Sequence, residues 1–510
     1  MSRGLFASLY EAGKPFALID TRERRDHVDG HWFGSTNIPL SVLEERLARL
    51  IPDRAFPVHL LDWQDKASEA AAAILSRLGY TDVRRCHTSR PDAFGDGFVK
   101  GEYVWSKAFG EVLAHRCGLR EVTPSEYLEH HRDALLFDVR PTAEYREFTV
   151  PCSQSLPNSL LLANMDALKA SGRTALLHCA GRTRSIIGAC TLQAAGYDGP
   201  FAIFKGGTQA WQLDGHEREH QAGRIFARDT GSLETTLAFL EKWHIPLDRI
   251  GSGALGPFVA AHGDRLLFDV SDDAARGRRM QHGILGISGT NLIQQTDRSV
   301  ARYHVPVVLF DHGSGSRAAF AAYWLRSMGF SVRVAMLDQR LSEIPETPAA
   351  ARHTGREFPL LTADELAIHR RNSGPVLDFR PSAAFRISCL TGSKWLNIGE
   401  TLSGNPMAGA PPDPAAIIAN DIPHGCRISE LLEAHGWQVA GIFPWSSASL
   451  LDPADITPGE PGNAIDESAL FAGRHHGNMQ DSRDYLAWEE ELPNQIDPPV
   501  LAAWHRLLAP

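Results

Sequence analysis

Four times along the chain a short apolar run ends on an aspartate: Ala17-Leu18-Ile19-Asp20, Leu136-Phe137-Asp138, Leu267-Phe268-Asp269 and Val376-Leu377-Asp378. A second apolar run follows some tens of residues later in each case. These are Val58 to Leu61, Ala175 to His178, Val307 to Phe310 and Ala416 to Ala419. A loop comes next, and then a helix-like stretch closing at a glycine: Leu78-Gly79-Tyr80, Ala195-Gly196-Tyr197, Met328-Gly329-Phe330 and His435-Gly436-Trp437. Short apolar runs alternating with helical stretches predict α/β units built on buried parallel strands. Recurrence of one layout predicts a tandem array. A chain of 510 residues has room for about three to five such domains.

Charge changes this picture little. The formal net charge of −10 gives no electrostatic reason to expect nucleic acid or an acidic membrane surface as partner. No apolar run is long enough to span a membrane. The opening Met1-Ser2-Arg3-Gly4-Leu5 lacks the apolar stretch and cleavage site of a secretory signal, so a cytoplasmic protein is expected. The seven cysteines, Cys86, Cys117, Cys152, Cys179, Cys190, Cys389 and Cys426, are scattered and form no Cys-x-x-Cys pair. Neither a disulfide framework nor a zinc site is expected from them, and nothing calls for a metal or a cofactor.

The chemistry concentrates at one cysteine. Leu176-Leu177-His178-Cys179-Ala180-Gly181-Arg182-Thr183-Arg184-Ser185 carries an apolar strand into Cys179, then a Gly- and Arg-bearing loop, then a helix from Ile186 to Ala195. A cysteine there sits among backbone N–H groups and at the positive end of a helix dipole. Both favour thiolate over thiol, as do Arg182 and Arg184. The other repeats lack the sulfur. Asp62 stands at the equivalent place in the first, with Ala67 and Ser68 matching Arg184 and Ser185. Asp311 stands there in the third, and Asp421 is the expected counterpart in the fourth. Cys426 adjoins Arg427 rather than the strand end and is read as non-catalytic; Cys190 is read as a packed helix residue.

These motifs resemble the rhodanese family. Asp20-Thr21-Arg22-Glu23 with Gly30-His31 and Asn37-Ile38-Pro39 resembles its opening motif. Cys179 to Ser185 resembles its active-site loop, and Phe204-Lys205-Gly206-Gly207 with Trp211 its closing motif. The resemblance implies four tandem modules, each a mostly parallel sheet with helices on both faces. They are expected at 1–112, 113–240, 241–352 and 353–455, with a linker and C-terminal tail over 456–510. Only the second would be catalytic.

It also implies a sulfurtransferase. Cys179 would take sulfur from a small anionic donor such as thiosulfate and pass it to cyanide or a thiol. Ala180, Gly181, Arg182, Thr183, Arg184 and Ser185 would cradle the substrate, and the two arginines would favour dianionic thiosulfate over 3-mercaptopyruvate.

Two rivals stay open. A phosphatase or arsenate-reducing enzyme of related fold has five residues between cysteine and arginine, whereas four separate Cys179 from Arg184. A non-enzymatic scaffold would use the cysteine-less modules to bind partners.

Asp138, Arg140 and Glu144 read as turn braces, Lys205 as a surface lysine, and Cys152 as a packed or surface thiol, with a resolving role as its alternative. Pro453 to Pro461 reads as a linker. Asp481 to Glu491 reads as a capped helix with Tyr485 and Trp488 on one face, in a tail that could cover the Cys179 pocket or bridge subunits of a homo-oligomer. His475 and His476 are adjacent, poor spacing for one metal, and are read as packing residues.

Overall fold

The computed structural model describes residues 4–64, 66–226, 232–271, 280–345, 356–403 and 410–508. Among the described residues, four sheets of four to six strands follow one another along the chain, with two further two-stranded pairings. The first orders Thr36–Asn37, Ala17–Asp20, Val58–Asp62 and Val83–His87, all parallel. The second orders Glu121–Val122, Phe201–Phe204, Ala175–His178, Leu135–Asp138 and Gln154–Ser155, also all parallel. The third runs Leu247–Ile250, Val332–Leu337, Val307–Asp311, Leu266–Asp269, Ile284–Gly286 and Met280–Gln281, with only the last pairing antiparallel. The fourth orders Lys394–Trp395, Val376–Asp378, Ala415–Ala419 and Val439–Pro444, all parallel. Helices flank the sheets. The chain is thus mixed α/β with repeated, mostly parallel sheets, as the alternation of runs predicts. The inner strands Ala175–His178, Val307–Asp311 and Ala415–Ala419 are buried at every position. Strands covered on both faces need no polar alternation, which is why they read as continuous apolar runs.

Register decides which residues are equivalent. His178 pairs with Asp138, so Cys179 lies one residue past the paired aspartate. Leu60 pairs with Ile19, and the next two positions reach Asp62 as the counterpart in the first sheet. Phe310 pairs with Asp269 and points to Asp311 in the third. In the fourth, Ile418 pairs with Asp378, so the counterpart is Ala419. The expectation for Asp421 is therefore corrected: it is the N-cap of the helix Ile422–Ala434, its carboxylate accepting from the His424 N–H at 2.8 Å.

The aspartates that end the first strands are braces. In the second unit, Arg140 Nε donates to Asp138 Oδ1 at 2.9 Å and Nη2 to Asp138 Oδ2 at 2.7 Å, both residues being fully buried. Arg140 Nη2 also donates to the Phe148 carbonyl, which ties the strand end to the next crossing. Burial opposes ionisation of Asp138, but Arg140 wins and holds the carboxyl at about 2. Arg22 on Asp20 and Arg380 on Asp378 repeat this geometry, reaching Gly30 and Ser388. In the third unit Ser271 replaces the arginine and donates both its N–H and its hydroxyl to Asp269.

One apolar core runs through the units. Phe16 stacks on Tyr303 at 5.0 Å, joining the first to the third. Trp324 Nε1 donates to Thr191 Oγ1 at 2.9 Å, joining the third to the helix that follows Cys179. The stretch read as a linker instead supplies a strand, Ile456–Thr457, antiparallel to Cys389–Leu390. Further on, the helix Pro498–Leu507 buries Trp504 against Trp105, Phe109 and Phe33, with ring centroids at 5.7, 5.3 and 6.0 Å. No helix among the described residues is long and apolar enough to cross a membrane. Since Trp504 is core, Trp504→Ala is expected to cost about 3–5 kcal/mol. A chemical-denaturation midpoint within error of wild type would contradict that placement.

Candidate active site

The central strand of the second sheet delivers Cys179 to its carboxyl end, where open α/β sheets bind ligands. Four residues later the helix Thr183–Ala195 begins, three residues ahead of the helix expected from sequence, and it stops at Gly196 in the left-handed conformation at φ 78°. The loop is clamped from the side by the Lys205-Gly206-Gly207 turn. Thr208 N–H donates to the Cys179 carbonyl at 3.1 Å and Gln209 N–H to that of Ala180 at 3.0 Å. Gly207, at φ 54°, lies so close that a Cβ would meet the Cys179 carbonyl oxygen at 2.1 Å.

Cys179 is 2 % exposed, and its Sγ lies 4.0 Å from Ser185 Oγ. Ser185 in turn donates to the Arg182 carbonyl at 2.7 Å. The thiol is not depressed, as the sequence suggests, but raised. Burial is the largest cause; Arg184 and the Gly181 and Ser185 N–H groups pull the other way, and Glu489 adds to the rise. The two arginines are committed as well. Arg182 makes a double contact with Glu111 at 2.9 Å through Nε and Nη2, and meets Glu490 at 2.9 Å. Arg184 pairs with Glu144 at 2.8 Å. The expectation of two open cations favouring a dianionic donor is therefore corrected for this conformation.

The tail does cover the loop. The helix Met479–Glu491, capped by Asn478, lies across it. Glu489, 1 % exposed, accepts the N–H of Arg182 at 3.3 Å and of Thr183 at 3.4 Å, and also the Thr183 hydroxyl. Gly181 leaves room for this: a Cβ there would meet Glu489 Oε2 and Tyr485 Cε1, both at 2.7 Å. Lys107 is buried beneath the same helix, 4.8 Å from the Tyr485 ring and 4.4 Å from that of Trp488, and burial lowers it to about 8. Ser482 Oγ donates to Gln209 Oε1 at 2.7 Å and Trp488 Nε1 to the Lys100 carbonyl at 2.9 Å. Glu489, Glu111 and Lys107 are invisible to motif reading. The signal that would have found Glu489 is that Cys179 leaves its helix start without the loop aspartate present in the sibling units.

The other expected residues separate cleanly. Cys152 is exposed while Cys179 is buried, and its N–H goes to Glu219 at 3.2 Å. Lys205 pairs with Glu121 at 3.1 Å. His475 packs on Phe148 at 5.4 Å and is lowered by burial to about 3. Elsewhere, a cavity of about 560 Å³ opens beside the fourth loop, lined among others by Asn420, His424, Arg427 and Asn397 and, from the first unit, Glu23 and Arg24.

Exposure and thiol ionisation set the order of alkylation. Mass-mapped labelling of the native protein with iodoacetamide is expected to reach Cys152 well before Cys179. Cys179 labelling should keep climbing with pH beyond the point where an ordinary thiol levels off, because its folded pKa is raised. Cys179 labelling first at neutral pH would contradict this geometry.

Residues 3–89 and 123–214 match the rhodanese-like domain. The chain is 37 % identical over 65 residues to the thiosulfate sulfurtransferase PspE of Escherichia coli (strain K12). That match covers 13 % of this chain and spans only 62 % of the relative's length. The fold is similar to that of a thiosulfate sulfurtransferase from Pseudomonas aeruginosa, with a TM-score of 0.81, 24 % identity and 98 % of each chain covered. Two segments of the chain thus match the rhodanese-like domain, and the strand-end cysteine lies in the second of them.

Proposed function

We propose that this protein is a sulfurtransferase whose working unit is residues 113–240 and whose nucleophile is Cys179. The observation that carries this reading is positional: of the four register-equivalent residues, Asp62, Cys179, Asp311 and Ala419, only one is a sulfur. The Cys179 thiolate attacks the outer sulfur of thiosulfate. The sulfur–sulfur bond of the donor breaks and its electron pair leaves with sulfite, so Cys179 holds a persulfide. Cyanide or a thiol then attacks that outer sulfur; with cyanide, thiocyanate leaves and the thiolate is restored. The cycle is covalent and ping-pong. N–H groups from Ala180 to Ser185 stabilise the terminal sulfur once the site has opened. The four-residue spacing from Cys179 to Arg184 supports sulfur over phosphate chemistry.

A second reading has one observation in its favour. The cavity shared by the first and fourth units lies at the carboxyl ends of strands that carry no nucleophile, as a ligand-binding role for those units would require.

Cys179→Ser is expected to abolish thiosulfate:cyanide transfer with an unchanged melting curve, since a serine hydroxyl is not ionised near neutral pH. More than a few per cent residual activity would overturn the assignment. Intact mass after thiosulfate treatment should rise by one sulfur per chain and return on adding cyanide. Labelling near two per chain would mean that a second cysteine also carries sulfur.

A further inference from the structure

Each of the four helices at the strand ends starts with N–H groups that need an acceptor. The third and fourth units supply it from the loop itself, and in the first a loop aspartate braces the turn just ahead of the helix. Asp62 accepts the Gln64 N–H at 3.1 Å and the Ser68 hydroxyl at 2.9 Å. Asp311 accepts the N–H of His312 at 2.8 Å and of Ala318 at 3.1 Å. Asp421 accepts the His424 N–H at 2.8 Å. The second unit has no aspartate in its loop, and its acceptor arrives from the tail: the carboxylate of Glu489, on the N–H groups of Arg182 and Thr183.

We propose that Glu489 is a built-in competitor of the anionic sulfur donor, holding the N–H cradle beside Cys179 until the donor displaces it together with the helix Met479–Glu491. This rests on the reading of Cys179 as the sulfur carrier. A buried carboxylate persists only where its lone pairs are satisfied. The Glu489 carboxylate accepts its hydrogen bonds from Arg182 and Thr183, the groups a donor anion would use. Glu490 and Glu111 meanwhile occupy Arg182. With Tyr485 and Glu489 packed onto Gly181 and Cys179 only 2 % exposed, donor entry and helix departure are one event. The Ser482–Gln209 hydrogen bond is one of the contacts that hold this helix down.

Glu489→Gln keeps the shape and removes the charge. It is expected to lower the KM for thiosulfate about tenfold, the scale of one charged hydrogen bond. It should also speed alkylation of Cys179 by neutral iodoacetamide by a similar factor. Ser482→Ala lies away from the loop and should shift both in the same direction by a smaller factor. In the wild type, saturating thiosulfate should raise amide hydrogen exchange across 479–491.

A folded Glu489→Gln with unchanged KM and unchanged alkylation overturns the proposal, and so does helix exchange indifferent to thiosulfate. If Glu489→Gln does not fold, Ser482→Ala decides by the same readouts. Wild-type protein that takes up no sulfur at any thiosulfate concentration overturns the sulfurtransferase reading instead. The alkylation rates of the variants still report on the Glu489 contact in that case.

Discussion

The start of a helix at the carboxyl end of a buried strand is an unfinished structure. Its first N–H groups have no partner in the helix, and burial removes water as a substitute. This single requirement organises the chain. In three units it is met by a carboxylate, and the source of that carboxylate separates them. Asp311 and Asp421 meet it locally, and Asp62 braces the turn before its helix. The second unit has no aspartate in its loop, and this leaves the vacancy that anion chemistry needs. The same lack leaves the closed form dependent on Glu489, 310 residues from Cys179.

The Asp–Arg braces answer a related demand. A parallel strand that stops inside the protein must turn without exposing its last polar groups. Asp138 with Arg140 does so with a fork of hydrogen bonds and one further bond to Phe148. Removing one partner would strand a buried charge, at a cost on the order of 3–5 kcal/mol. The serine in the third unit meets the demand without a charge. The braces are therefore scaffold. They fix where the loop starts, and the loop fixes the chemistry.

Much of this was legible in the sequence because it is local. Apolar runs ending in aspartate, glycine-closed helices and the cysteine loop all declare themselves within about fifteen residues, the scale on which periodicity and capping operate. Glu489 was not legible, because an acidic run at the end of an amphipathic helix looks like a solvated face. Asp421 does not declare its place in the sequence, because counting along the loop ignores pairing: the alignment of Ile418 with Asp378 makes Ala419 the counterpart. The raised Cys179 thiol was missed for the same reason as Glu489. Proximity to arginines is visible in a motif, whereas their neutralisation by Glu111, Glu144 and Glu490 is a tertiary fact.

The distance in sequence between Cys179 and its cover has a consequence for biogenesis. A ribosome adds about 5–20 residues each second, and domains fold in the order they emerge. The second unit is therefore complete roughly 12–50 s before Glu489 has been synthesised. During that interval the nascent chain carries a folded strand-end cysteine with its helix start uncapped, open to any small anion or electrophile in the surroundings. Closure waits for the helix that carries Glu489, so the reactive sulfur passes through its most exposed period before its cover exists.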